Sequence, residues 1–365
     1  MRLHLNFGIL GADGMPLSFA EVQAKARLIE EAGFSGIWSG HHIPIPGDTA
    51  RTLPDPLPGL LIAASATGRV ELGTCIYCLG LVNAGNFAQS AYTLEAFAPG
   101  RLTFGVGTGS QKQEWDIAGL DWSKRFTRLE ESMRFVKSMF TGESPIEVEE
   151  LTFGDNHKKY ARQRPPHLGE PTLAQKIGSP RFLLGTWRSP RQLNRAAVSY
   201  DGWLASAGPG TLEGGWKKVF TDSMSIFRDA GGTRALVSTM LLDHEAETRP
   251  LAEDGAFELI CGPGAITERL GILNDLGFDD VILSPWDSER TKGRQLTAEL
   301  LAELRALYPV DEANIFTQAP VVASTVVAST VVASTVVASP VVASTVLPGT
   351  VLPNTVLPNT GATAR

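Results

Sequence analysis

One segment, Arg69 to Ser110, constrains the fold of this chain more than any other part of the sequence. Val70–Ile76 and Leu102–Val106 are short apolar runs, which predict two buried strands. Between them, Asn86–Phe97 carries apolar residues at helical spacing. Parallel strands need a crossover connection of this kind, so the segment predicts a βαβ unit. Both strands end in small or polar residues, at the edge where parallel α/β folds bind their ligands.

The alternation of strand and helix continues on both sides of this segment. Further strands are predicted at Leu3–Ile9, Phe34–Ser39, Arg181–Gly185, Gly202–Ala205, Leu236–Leu242 and Asp280–Leu283. Further helices are predicted at Phe19–Ala32, Leu60–Thr67, Lys124–Phe140, Pro190–Ser199, Gly215–Ala230, Pro263–Leu276 and Leu296–Tyr308. Eight strands alternating with helices predict an α/β fold, a (β/α)8 TIM barrel over residues 1–316. A doubly wound open sheet is the alternative, although Gly107-Thr108-Gly109 lacks the third glycine of the dinucleotide-binding fingerprint.

Other segments interrupt this alternation. Ile43–Pro58 is a proline-rich loop, Gln111–Trp122 is predicted to be a polar loop, and residues 141–180 are irregular. We interpret residues 141–180 as an excursion over the barrel mouth or a small lid, because loops of this length are usually functional. Residues 317–365 consist mostly of pentads such as VVAST and VLPNT, and a period of five suits neither a helix nor a strand. This low-complexity tail is predicted to be disordered.

Composition excludes several classes of function. The net charge of −7 argues against a nucleic-acid-binding protein, which would present a basic face. Three cysteines form no disulfide framework and favour a reducing compartment. The N-terminus does not resemble a signal peptide, and no apolar run is long enough to span a membrane. We therefore expect a cytoplasmic protein without a membrane partner.

Several segments, in this order and spacing, resemble the bacterial luciferase-like family of flavin-dependent oxidoreductases. They are EEAGFSGIWSGHH (Glu30–His42), DPLPGLLIAASATGRVELGT (Asp55–Thr74), PGRLTFGVGTGS (Pro99–Ser110), RFTRLEESMRFVKSMFTGE (Arg125–Glu143), SYDGW (Ser199–Trp203) and GFDDVIL (Gly277–Leu283). The resemblance covers most of residues 1–310 and implies a TIM barrel. It also implies a flavin-class cofactor, either flavin mononucleotide (FMN) or the deazaflavin coenzyme F420.

The resemblance implies a role for His42 in catalysis or in contact with the flavin ring. His41 stands where the family usually has an acid, and adjacent residues at a strand end point in opposite directions. An imidazole changes charge near neutral pH, which suits proton transfer. A loop histidine satisfied by the backbone is the alternative, and no third ligand supports a metal site. The family also has a cis peptide bond behind the flavin ring, which corresponds here to Cys75–Ile76; a plain trans strand is the alternative.

The resemblance implies that two sets of residues bind the polar part of the cofactor. Thr108, Gly109 and Ser110 would lie along its phosphate and ribityl chain, since glycines allow close backbone approach. Gln113 and Glu114 would reach the ribityl hydroxyls or the ring edge. The second set, after strands five and six, is Gly185, Thr186 and Ser206, with Arg188 as a further source of positive charge. Ordinary turns and solvated charges are the alternatives.

Two reactions fit the resemblance, with a slight preference for the first. With F420, a hydride passes to or from a small organic substrate and His42 moves the accompanying proton. With reduced FMN and oxygen, the chain would act as a monooxygenase. A flavin reductase or an F420 reductase would be a partner, and a homodimer is common in the family. A non-catalytic barrel with a surface-interaction tail is a less favoured third hypothesis, suggested by the LPxTG-like end Leu357–Gly361.

Overall fold

The computed structural model describes residues 1–11, 14–45, 53–142, 172–206, 214–290 and 292–308. Its strands are β1 (Arg2–Asn6), β2 (Gly36–Ser39), β3 (Glu71–Tyr77), β4 (Leu102–Val106), β5 (Arg181–Thr186), β6 (Gly202–Ser206), β7 (Ala235–Asp243), β8 (Leu259–Ile260), β9 (Asp280–Asp287) and β10 (Lys292–Gly293). β1 to β7 pair in sequence order, and β9 pairs with both β7 and β1. Eight parallel strands therefore form a closed barrel. This confirms the predicted TIM barrel and rules out the open sheet.

Helices follow most of the barrel strands. They are α1 (Phe19–Glu31), α2 (Pro56–Ala64), α3 (Ala84–Phe97), α4 (Lys112–Ile117), α5 (Arg125–Thr141), α6 (Leu173–Ile177), α7 (Pro190–Ser199), α8 (Gly215–Asp229), α9 (Pro263–Asp275) and α10 (Ala298–Ala306). Within the described residues, no helix is long and apolar enough to cross a bilayer.

Four sequence predictions need correction. The polar loop predicted at Gln111–Trp122 contains α4, which is held by the fully buried Trp115. α2 begins at Pro56, not Leu60, because Asp55 caps it by accepting a hydrogen bond from the Leu57 N–H at 3.0 Å. β1 ends at Asn6 and does not reach Ile9. The short strands β8 and β10 were not predicted; β8 pairs with the end of β7, and β10 pairs antiparallel with β9.

Two predicted segments lie largely outside the described residues. Of the excursion at 141–180, residues 143–171 are not described, and α6 forms a short helix where irregular chain was expected. The tail at 317–365 also lies outside the described residues, as do residues 46–52 of the proline-rich loop.

The inside of the barrel is filled by side chains from β2, β3, β5, β6, β7 and β9. Trp38, Leu183, Leu204, Leu236 and Ile282 form one buried apolar cluster, with Cys75 and Ile76 packed against it. Gly73 leaves room for the indole, because a Cβ there would lie 2.4 Å from the ring of Trp38. This plug forms a floor on which any ligand at the C-terminal ends of the strands would rest.

A second group of side chains occupies the opposite, N-terminal end of the barrel interior. Arg234 donates to both oxygens of Glu71 at 2.7 and 2.8 Å and to Asp280 at 2.7 Å. His4 and Arg2 also contact Asp280, at 2.9 and 2.5 Å. The neighbouring arginine holds the pKa of Glu71 at about 2, against the opposing effect of burial, and keeps the pKa of Asp280 well below its ordinary value. This buried charge cluster ties β1, β3, β7 and β9 together.

Candidate active site

A cavity of about 1420 Å³ opens at the C-terminal ends of the barrel strands. Eight of the predicted site residues line it: His42, Cys75, Ile76, Thr108, Gly109, Ser110, Gly185 and Thr186. They come from the chain that follows β2 and β4 and from the ends of β3 and β5. The cavity exceeds the roughly 300–1,000 Å³ of an ordinary small-molecule site, so it has room for a large cofactor and a substrate together.

His42, which lines the cavity, forms a polar contact with Glu114 of α4. Glu114 Oε1 lies 2.8 Å from His42 Nδ1, and Glu114 is buried on α4 together with Trp115, whereas Lys112, Gln113 and Asp116 of the same helix are exposed. The side chain of His42 is 36% exposed and that of Glu114 is 1% exposed. A carboxylate accepts only, so the Nδ1 atom donates the proton, and in the neutral imidazole Nε2 is then left as an acceptor. Among the described residues, the buried Glu114 Oε2 has no hydrogen-bond partner.

His41 has a different environment from its neighbour. Its ring stacks on Tyr77 at 4.0 Å between centroids, and its Nδ1 accepts a hydrogen bond from the Cys78 N–H at 3.3 Å. Burial lowers the pKa of His41 to about 4, helped by the nearby His42 and opposed by Asp55. His41 is therefore a neutral structural residue at neutral pH, and the predicted divergence of the two histidines agrees with the structure.

The peptide bond between Cys75 and Ile76 is cis, as the family resemblance implies. Ile76 packs against glycines at the ends of the next two strands: a Cβ on Gly107 or Gly185 would lie 2.6 or 2.7 Å from its side chain. Cys75 Sγ lies 3.3 Å from Thr239 Oγ1, and burial raises the pKa of the Cys75 thiol to about 11. Cys75 is thus a protonated thiol at neutral pH and not a nucleophile.

The turn after β4 is fixed by the helix that follows it. Trp115 of α4 donates its indole N–H to the Thr108 carbonyl at 2.9 Å. Gly109 has a φ of +72°, a conformation that favours glycine. The same helix places Glu114 toward His42, whereas Gln113 is exposed and does not line the cavity. Neither of the two residues predicted to reach the cofactor from here lines the cavity, and Glu114 is linked to it only through its contact with His42.

The second predicted set surrounds the next two strand ends. Gly185 and Thr186 line the cavity at the end of β5. Ser206 ends β6, where its backbone pairs with Ser238 of β7. Arg188, the further source of positive charge, also lines the cavity.

Two groups of residues that line the cavity were not predicted from the sequence. Ser238 and Thr239 lie where the β7–β9 register shifts, and Thr239 has a φ of 37°, rare for a β-branched residue. A bulge of this kind has no clear sequence signal. Arg191 and Arg195 of α7 line the cavity as well. Their spacing of four on a predicted helix was the available signal, since it puts both on one face.

The donor set fits an organic cofactor better than a metal ion. Within the described residues, no group of three or more histidine, cysteine or acidic side chains is arranged to hold a metal. The cavity instead offers an apolar floor, a histidine and arginine side chains in its lining. These features match a ligand with a flat ring and an anionic end, as a flavin or deazaflavin has.

The chain is similar in sequence to known enzymes over part of its length. The F420-dependent glucose-6-phosphate dehydrogenase of Beutenbergia cavernae is 36% identical over 127 residues, covering 34% of this chain and 38% of that protein. The 4-hydroxyprotoasukamycin monooxygenase of Streptomyces nodosus subsp. asukaensis is 29% identical over 123 residues, covering 33% and 32% of the two chains. The aligned part therefore spans less than two fifths of either relative.

Solved structures show the same fold over most of the chain. The monooxygenase RslO1 from Streptomyces bottropensis matches with a TM-score of 0.61 at 20% identity, covering 84% of this chain and 97% of that one. A family model for luciferase-like monooxygenases matches residues 4–215, which is more than half of the chain. The chain therefore belongs to the luciferase-like monooxygenase family.

Proposed function

We propose that this chain is an oxidoreductase that binds coenzyme F420 in the cavity and transfers a hydride to or from a small organic substrate. The observation that carries the proposal is the contact of His42, which lines the cavity, with the buried Glu114. The relative named as an F420-dependent dehydrogenase supports the choice of coenzyme.

The histidine acts on the proton of the substrate. When bound, the deazaflavin supplies the hydride acceptor. Glu114 accepts the Nδ1–H of His42, which fixes the tautomer in which Nε2 is unprotonated. Nε2 then takes the hydroxyl proton of an alcohol as its C–H hydride leaves and the carbonyl forms. In the reverse direction, the protonated His42 returns that proton to the new alkoxide oxygen.

The other lining residues would bind and orient the coenzyme. Ile76, which packs against Gly107 and Gly185, would support the ring of the coenzyme, and Thr108 to Ser110 would hold the chain attached to that ring. Gly185 and Thr186 bind beside this chain, and Ser206 lies at the neighbouring strand end. The buried apolar cluster inside the barrel would keep water away from the floor of the cavity. Polar contacts at the cavity would be stronger for that reason, because the local dielectric constant is low.

An FMN-dependent monooxygenase is the second candidate, favoured by the relative that is named a monooxygenase. The cavity, its floor and the His42–Glu114 pair would serve it equally well. The two candidates differ in their need for oxygen, which makes them separable by experiment.

The test is an anaerobic assay with a matched aerobic arm. Purified protein is mixed with oxidised F420 and a panel of small alcohols that includes a sugar phosphate, and loss of the visible absorbance of the deazaflavin is followed. We expect turnover without oxygen. Oxygen-dependent incorporation of labelled oxygen into a substrate with reduced FMN, and no anaerobic turnover, would favour the second candidate and overturn the first.

The proposal also includes a cellular location and partner proteins for this chain. All three cysteines are free thiols, which suits a reducing, cytoplasmic location. The oxidised or reduced coenzyme would be regenerated by a separate reductase or dehydrogenase, and the chain would act as a homodimer. Sedimentation of the purified protein, alone and with its coenzyme, tests the dimer.

A further inference from the structure

One side-chain contact crosses the inside of the barrel beside the cavity. Cys75 of β3 and Thr239 of β7 both line the cavity, and Cys75 Sγ lies 3.3 Å from Thr239 Oγ1. Three strands separate β3 from β7 in either direction around the barrel, so the two residues come from opposite sides of it. Their contact therefore lies between the cavity and the buried apolar cluster, against which Cys75 packs.

The backbone at Thr239 has an unusual conformation. The residue has a φ of 37°, and the register of β7 against β9 shifts between Val237 and Met240. A positive φ is unfavourable for a β-branched residue, and bulges next to active sites often redirect a side chain. Backbone strain of this kind is concentrated at functional sites. The conformation therefore points to a functional role for the Thr239 side chain.

The hydroxyl of Thr239 can donate a hydrogen bond to a ligand. Burial raises the pKa of the Cys75 thiol to about 11, so the thiol keeps its proton at neutral pH. Among the described residues, Thr239 Oγ1 has no hydrogen-bond partner other than this thiol. Sulfur is only a weak acceptor, so an oxygen in the cavity is the better acceptor for the Thr239 O–H. The S–H of Cys75 then donates to Oγ1, and both protons are used.

The chain places this hydroxyl close to the proposed position of the coenzyme ring. Cys75 directly precedes Ile76, the residue proposed to support the ring, and both pack against the same buried apolar cluster. A fused three-ring system is longer than one side chain, so a ring that rests against Ile76 also reaches the contact between Cys75 and Thr239. The polar end of a flavin or deazaflavin ring carries carbonyl oxygens, which accept hydrogen bonds.

We propose that Thr239 donates a hydrogen bond to a carbonyl oxygen of the coenzyme ring and so favours the reduced coenzyme over the oxidised one. Reduction adds electrons to the ring, and its carbonyl oxygens then carry more negative charge. A hydrogen bond to a charged acceptor is stronger than one to a neutral acceptor. This inference rests on the proposed function, because it assumes that a flavin-class ring lies against Ile76.

The test is an anaerobic equilibrium titration of the wild type and of variants with oxidised and with reduced F420. Thr239→Val keeps nearly the same shape and removes the hydroxyl, whereas Thr239→Ser keeps the hydroxyl. We expect Thr239→Val to weaken the binding of oxidised F420 about 3-fold and of reduced F420 about 10-fold or more. The reduction potential of the bound coenzyme should fall accordingly. Thr239→Ser should retain the wild-type preference for the reduced form.

The matched control is Thr93→Val, which removes a hydroxyl on α3 that donates to the Gln89 carbonyl and lies outside the cavity lining. This variant should bind both forms of F420 as the wild type does. A change in the ratio of the two affinities in Thr93→Val as large as that in Thr239→Val would contradict a specific contact at Thr239.

The possible failures of this inference differ from a failure of the proposed function. Equal weakening of the two forms of F420 by Thr239→Val would show a role in packing and would overturn the inference alone. Unchanged affinity for both forms would also overturn it, and a higher KM for the alcohol in that case would assign the hydroxyl to the substrate. If the wild type binds neither form of F420, the proposed function and this inference are both wrong.

Discussion

At the scale of single residues, the site depends on one buried carboxylate. Glu114 lies on a helix of six residues, where most carboxylates would face solvent, yet it is 1% exposed and contacts His42. The sequence could place both residues near a cofactor through the family resemblance. It could not show that they contact each other, because residues 42 and 114 are brought together only when β2 and β4 close into a barrel.

His42→Ala should reduce kcat by about 10²- to 10⁴-fold, because it removes the group that moves the proton. Glu114→Gln should also reduce kcat, because an amide N–H can donate to Nδ1 and favour the tautomer that cannot accept at Nε2. Steady-state kinetics together with coenzyme titration measure both effects, and the coenzyme Kd should change far less than kcat.

The matched control for these variants is His244→Ala, which removes a histidine paired with Glu303 away from the cavity lining. It should leave kcat near the wild-type value. Equal losses of kcat and of coenzyme affinity in His42→Ala would make His42 a binding residue only.

His41 should make the protein sensitive to acid. Its pKa is about 4 in the folded state because of burial, and about 6.5 in an unfolded chain. Between these values the unfolded chain binds a proton that the folded chain does not, so stability falls as pH falls through this window. The wild type should lose about 2 kcal/mol from this source between pH 7.5 and pH 5. Urea unfolding at the two pH values measures it.

His41→Asn is the comparison, because the amide oxygen can still accept from the Cys78 N–H but does not titrate. The variant should show a smaller loss of stability between the two pH values. The same pH dependence in both proteins would contradict the assignment of a neutral, buried His41.

At the scale of elements, a second titrating group links three segments near the N-terminal ends of the strands. Glu95 of α3 is fully buried and accepts from the Gly100 N–H at 2.6 Å in the turn before β4. Gly178, which follows α6, lies close to it, because a Cβ there would be 2.9 Å from Glu95 Oε1. Burial raises the pKa of Glu95 to about 7, against the lowering effects of the Gly100 N–H and of Arg181.

Glu95→Gln should therefore stabilise the protein at alkaline pH. The folded pKa lies above the unfolded value, so the folded chain holds a proton that the unfolded chain releases, and stability falls as pH rises from about 4.5 to 7. Removing the titration should raise the free energy of unfolding at pH 8 by up to about 3 kcal/mol, with a smaller gain at pH 5. Urea unfolding at both values measures the difference.

Glu131→Gln, which removes an exposed acid on α5, is the control and should change stability by less than about 0.5 kcal/mol at either pH. A Glu95→Gln variant that gains the same stability at pH 5 and pH 8 would contradict the raised pKa.

Some helices and strands could be predicted accurately from the sequence, and others could not. β4 and α7 have the bounds that their apolar spacing predicts, because a buried strand and an amphipathic helix leave clear periods. α4 was missed because one buried tryptophan, and not a periodic face, holds it. The bulge at Thr239 was missed for a similar reason, since β-branched residues give no local signal of a positive φ.

At the scale of the whole molecule, the barrel is tied together at the end opposite the site. Arg234 links Glu71 and Asp280, which are 163 and 46 residues away in the sequence. No local pattern marks such partners, so the fold class could be predicted from strand and helix alternation while this cluster could not.

Arg234→Met should destabilise the protein by about 3–5 kcal/mol, because it leaves two buried carboxylates without their main cation. Arg2→Met removes a more exposed partner of the same Asp280 and should cost less. Chemical denaturation of both variants measures the difference. A loss below about 1 kcal/mol for Arg234→Met would contradict the proposed role of the cluster in holding the barrel closed.

An equilibrium titration of the purified protein with F420 and with FMN tests most directly whether this barrel binds a flavin-class coenzyme. We expect saturable binding with one ligand per chain, tighter for F420, and competition between the two coenzymes for the same cavity. Absence of saturable binding for both coenzymes would contradict the proposal that this barrel holds a flavin-class ring against Ile76 and beside His42.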